Sequence, residues 1–171
     1  MRTFADILAK WQPFYSTLAT ACATLTGLIF VALSSNAFIV RRTENAGLVA
    51  IARLVFGELV MVLMVSLMFL IPNQQPLGLA VPLIILGAAW TVGSIWLRGL
   101  QKPGKYGISK LMTPRVSQFG GLGILVTGFA FLWRLWAAFY WLVFMLGALL
   151  ASAAVNSWVL LIQVPKEHRG S

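Results

Sequence analysis

A chain of 171 residues that is 60% hydrophobic and only 10% charged, with a mean hydropathy of +0.88, cannot hide its apolar side chains in one water-soluble core. Its net charge of +9 would raise the question of nucleic acid in a soluble chain, but the cations sit almost entirely at the ends of apolar runs, which makes them a topology signal and excludes that partner. With Cys22 as the only cysteine, an intramolecular disulfide and a thiolate metal cluster within one chain are excluded as well.

Residues 1–13 place Phe4, Ile7, Leu8 and Trp11 at i, i+3, i+4 and i+7, one stripe of a helix, with Pro13 as the interruption. This predicts a short N-terminal amphipathic helix, lying on the outer leaflet or packed on its own bundle. Five apolar stretches then reach or approach the ~20 residues needed to cross a hydrocarbon core. They are 14–40, 48–71, 77–97, 116–133 and 137–164, of which the fourth is marginal. The expected fold is an all-α, polytopic transmembrane helical bundle of about five helices, forming a single domain over 14–164.

The first stretch is polar for lipid, carrying Ser16, Thr17, Thr20, Thr24 and Thr26, and Ala19, Ala23 and Gly27 recur every fourth residue. Such a small-residue row brings helix backbones close. Gly87 and Thr91 with Gly93 and Ser94 make comparable rows in the third stretch, and Gly147 and Ala151 with Ala148, Ser152 and Asn156 do so in the fifth. A tight uncharged turn at 72–76 joins the second and third helices. Residues 98–115 form the longest polar stretch, with Arg98, Lys102, Lys105, Lys110 and Arg115 and no acid. It reads as a cytoplasmic loop whose cations set topology or contact anionic headgroups. Residues 165–171 are a short tail.

Ten of the 13 cations fall on one side of this map, namely Arg41, Arg42, Arg53, Arg98, Lys102, Lys105, Lys110, Arg115, Lys166 and Arg169, and three on the other, Arg2, Lys10 and Arg134. The positive-inside bias therefore places the N-terminus outside and the C-terminus in the cytoplasm. Trp11, Tyr15, Trp133, Trp136, Tyr140 and Trp141 fall at the outer ends, where an aromatic belt belongs.

Chemistry-bearing residues are scarce. His168 is in the tail and Asp6, Glu44 and Glu167 are terminal or in loops, so the clusters that hydrolysis, metal or redox chemistry requires are missing, and no enzyme, cofactor or metal is expected. Glu58 is the exception. It lies about ten residues into its helix, roughly 15 Å deep and near the midplane, where a carboxyl is costly and faces a bundle interior or a water-filled cavity. Arg53 cannot neutralise it along the same helix, because an offset of five turns the side chains apart. Thr24, Thr26, Thr127 and Ser152 lie at its depth as hydrogen-bond partners, and Asn156 lies at that of Arg53. A protonated Glu58 in an interhelical contact is one reading; a carboxylate lining a cation or proton path is the other. Glu58, Thr20, Thr24, Arg53 and Asn156 are the candidate intramembrane site.

The stretch 23–34, Ala-Thr-Leu-Thr-Gly-Leu-Ile-Phe-Val-Ala-Leu-Ser, with Leu-Ile-Pro-Asn-Gln at 70–74, resembles small bacterial multipass proteins of unassigned function. That resemblance implies a bacterial inner-membrane location and no activity. The same stretches are also similar to Orai calcium channels in the spacing of Gly27 and Val31 and in Leu-Met-Val-Ser at 63–66 before Pro72 and Asn73. The departures weigh against this second likeness: Ser35 stands where the filter glutamate belongs, there are five helices instead of four, and the charge bias inverts the topology. The favoured expectation is a non-enzymatic membrane interaction or accessory protein that forms homo-oligomers or binds another membrane protein. A small homo-oligomeric cation or proton channel using Glu58 or the Thr-rich first helix stands second, and a small transporter third.

Overall fold

The structure is a computed structural model that describes residues 4–35, 46–72, 74–100, 113–135 and 137–163. Among them it forms five α-helices and no strand: α1 (Phe4–Ser35), α2 (Ala46–Leu70), α3 (Pro76–Leu100), α4 (Thr113–Leu132) and α5 (Ala138–Gln163). The apolar runs dictate this, since in lipid a helix satisfies its own backbone polar groups. Four helices are long and apolar enough to cross a membrane, over Asp6–Ser34, Ala52–Leu70, Pro76–Trp96 and Ala138–Trp158. The apolar part of α4, Gln118–Leu132, is shorter. The whole of α4 nonetheless has 20 residues, about 30 Å of helix at 1.5 Å per residue.

α1 departs from expectation, because Pro13 sits inside a helix of 32 residues and does not end a separate lead-in. Proline removes the amide that would bond to the Ala9 carbonyl and crowds the preceding turn. Packing offsets that cost: Leu8 is buried in the main core, and Phe4, Ile7 and Trp11 pack against it. The amphipathic stripe thus lies on its own bundle as the first two turns of α1.

Helix neighbours in space run α1, α2, α5, α4, α3. α5 therefore lies between α2 and α4, while α2 and α3, adjacent in the chain, meet only lightly, where Trp90 covers Gly57. α3 and α4 approach most closely. A Cβ on Gly87 would stand 2.6 Å from the backbone nitrogen of Leu125, and one on Gly128 would stand 3.0 Å from that of Ile84. Gly121 is instead covered by the side chains of Trp90 and Thr91, whose Oγ1 would stand 2.8 Å from an added Cβ. Gly87 and Gly128 allow backbone-to-backbone contact, which dispersion rewards where water gives no hydrophobic drive between helices.

An aromatic cluster fixes the helix directions. Tyr15 of α1 stacks on Phe69 of α2 at 4.1 Å, and Phe131 of α4 meets Phe139 of α5 edge-on at 5.0 Å. The start of α1 and α5 and the end of α2 and α4 thus share one face, so the helices alternate in direction. Tyr15 corrects the expected belt: it is fully buried in this cluster, whereas Trp133, Tyr140 and Trp141 are exposed. Among the described residues its hydroxyl has no hydrogen-bond partner.

α4 ends on a Schellman motif, with the Leu135 amide donating to the Ala130 carbonyl at 3.0 Å and the Arg134 amide to that of Phe131 at 3.1 Å. Arg134 occupies the left-handed position with φ 54°. Glycine normally fills this position, and a side chain there costs about 1–2 kcal/mol.

Candidate functional site

Glu58 projects from α2 into the contact with α5 and is fully buried. The Ser152 hydroxyl donates to Glu58 Oε1 at 3.2 Å, and Asn156 Nδ2 donates to Ser152 Oγ at 3.4 Å. Ser152 and Asn156 are four residues apart on α5 and therefore occupy one face. The three groups form a directed chain in which each donor points toward the carboxyl, and a low local dielectric strengthens such a chain. Its longer member is near the limit of a hydrogen bond. Val55 and Leu59 of α2, Leu150 and Ala153 of α5 and Ile29 of α1 pack together as the adjoining apolar cluster.

Of the four hydroxyls at the depth of Glu58, Ser152 reaches it. The others close on their own helices: Thr24 onto the Thr20 carbonyl at 2.9 Å, Thr26 onto that of Cys22 at 2.7 Å and Thr127 onto that of Gly123 at 2.7 Å. Helix geometry favours this local bond wherever no neighbour supplies a stronger acceptor. Thr20 likewise bonds to the Ser16 carbonyl at 3.0 Å.

The structure brings Glu58 and Asn156 together through Ser152, and it leaves Thr20, Thr24 and Arg53 exposed on the outside of the bundle. The outward side of α1 carries Ser16, Thr17, Thr20, Ala23, Thr24 and Gly27, and a Cβ on Gly27 would meet nothing within 4 Å. Of the expected headgroup contacts, Lys102, Lys105 and Lys110 lie outside the described residues. Arg98 belongs to the last turn of α3 and Arg115 to the first turn of α4, so both helices reach into the stretch read as loop.

The glycine row of α4 is the element that sequence reasoning missed. Its signal is present in Gly120, Gly121, Gly123 and Gly128, but glycine also lowers mean hydropathy, and α4 consequently reads as a weak span although these glycines let it pack tightly on α3 and α5. Among the described residues there is no group of three or more His, Cys, Asp or Glu side chains that could hold a metal ion. No family model, curated protein or solved structure matches the chain.

Proposed function

We propose that this protein is a non-enzymatic integral membrane interaction or accessory protein that assembles, with copies of itself or with another membrane protein, through the outward side of α1. The observation that carries this reading is the division of polar groups. Glu58, the one acid deep in a span, engages α5, whereas Ser16, Thr17, Thr20 and Thr24 of α1 are exposed on the outside of the bundle. Because Thr17, Thr20 and Thr24 each donate to a carbonyl one turn back, this side is stable in lipid. Ala23 and Gly27 leave room for a partner backbone to come close.

A bacterial inner membrane, with the N-terminus outside and the C-terminus cytoplasmic, is the location consistent with the charge split and with helices apolar enough to cross a membrane. Anionic headgroups would then meet Lys102, Lys105 and Lys110 on the cytoplasmic side. The test is energy transfer between labelled copies in liposomes at increasing dilution. Wild-type protein is expected to associate, with Ala23→Leu and Gly27→Leu weakening association at unchanged helicity. A wild type that stays monomeric at every dilution, and captures no membrane protein when cross-linked in its native membrane, would sink the reading.

The cation-channel alternative draws its support from Thr20 and Thr24, exposed one turn apart. In an oligomer closed around α1 they would line the axis. Proteoliposome flux across a range of pH and voltage separates the two readings, since an interaction protein passes no cation.

A further inference from the structure

At the end of the bundle that holds the aromatic cluster, residues at the start of α3 and the end of α4 line a cleft of about 380 Å³, namely Gln75, Pro76, Leu77, Phe131, Leu132 and Arg134. That volume falls within the roughly 300–1,000 Å³ of ligand clefts. Its walls are of two kinds. Pro76, Leu77, Phe131 and Leu132 are apolar residues, while Arg134 and Gln75 are residues whose side chains carry hydrogen-bond donors.

The position of Arg134 is unusual in itself. It fills the left-handed residue of the α4 cap, where glycine would make the same two backbone bonds without a crowded Cβ. What arginine adds there is a cation with a planar donor fork, held by an ordered cap beside a cleft of mixed polarity. A guanidinium fork matches a phosphate bidentately. The complementary occupant carries a phosphate anion and a hydrocarbon chain together, and the surrounding bilayer supplies such molecules.

We propose that this cleft is a binding site for a single anionic phospholipid, its headgroup phosphate on Arg134 and Gln75 and the upper part of one acyl chain against Leu77, Phe131 and Leu132. The site lies at the opposite ends of α3 and α4 from Arg98 and Arg115 and requires no contribution from either.

The experiment uses the full chain in proteoliposomes containing an anionic phospholipid with a photoreactive diazirine in its acyl chain, and maps adducts by mass spectrometry. Adducts are expected within 75–77 and 131–134. Arg134→Gly, which suits the cap, and Arg134→Gln, which keeps a side chain there, should each lower that yield at least tenfold while circular dichroism stays unchanged. Leu77→Trp, which fills the cleft and leaves the cation, should lower it to the same degree. Adducts formed within 98–115 serve as the internal reference and should be constant in all three variants. Equal labelling of 75–77 and 131–134 by a zwitterionic analogue, or unchanged labelling in both arginine variants, would overturn the proposal. Loss of the adducts on adding millimolar inorganic phosphate, with sodium chloride at equal ionic strength having no effect, would assign the site to a free anion and overturn the lipid.

Discussion

Ser152 donates its hydroxyl to the Glu58 carboxyl across the α2–α5 contact, and it is the group at that depth that leaves its own helix to do so. Helix α5 could have closed this hydroxyl on a carbonyl one turn back, as Ser157 does onto Ala153 at 2.7 Å. The difference lies in the neighbour: an acceptor carboxyl stands opposite Ser152.

Ser152→Ala should therefore lower stability, whereas Ser157→Ala should not. Interhelical hydrogen bonds in membranes contribute about 0.6 kcal/mol on average and up to about 2 kcal/mol. A loss of about 1–2 kcal/mol is expected for Ser152→Ala, because a buried carboxyl loses one interhelical donor. Reversible unfolding in mixed micelles measures it. In a double-mutant cycle with Glu58→Gln the two losses should be non-additive, and strict additivity would mean that the contact carries no energy of its own.

Gly87→Leu should disrupt the fold where Gly27→Leu does not. The first forces a side chain into the Leu125 backbone, and overpacking of this kind costs about 1–3 kcal/mol. The second points into open space and should change folding by less than about 0.5 kcal/mol. Comparing unfolding midpoints of the two variants decides the matter; similar midpoints would contradict the close approach of α3 and α4.

Tyr15→Phe should be neutral or stabilising. The ring stack on Phe69 is retained, and a buried hydroxyl that has no partner among the described residues is removed. Burying such a group costs about 1–3 kcal/mol, so a gain of up to that size is expected in thermal unfolding. A clear loss would mean that the hydroxyl is satisfied in the membrane.

Reporter fusions at residues 1 and 171 should fall on opposite sides of the membrane, the first outside. An odd number of spans requires this and the charge split orients it. Finding both ends cytoplasmic would remove α4 from the list of spans.

The helices were legible because lipid leaves the chain little choice, and an apolar run of the right length has to satisfy its own backbone. Glu58 was legible for a related reason, as an isolated acid in such a run. Its partner was not, since depth narrows the field to Thr24, Thr26, Thr127 and Ser152, while the choice among them depends on the rotation of each helix and on which helices touch. Pro13 misled the reading of α1, because a local rule marks it as a break and the burial of Leu8 behind it is a tertiary matter. Tyr15 misled it similarly: its place near a helix end matched a membrane-interface residue, but its face of the helix turns inward onto Phe69.

The spatial order of the helices carries a consequence for biosynthesis. α1 with α2, and α3 with α4, are adjacent in the chain and adjacent in space, so each pair can dock as soon as it leaves the ribosome. α5 emerges after both and takes the place between them. A nascent chain halted before Ala138 therefore presents the membrane with two docked hairpins and a Glu58 that has yet to meet Ser152. The fifth helix acts as a keystone, and quality-control machinery that recognises polar groups in unassembled spans would have a window in which to sample this chain before it closes.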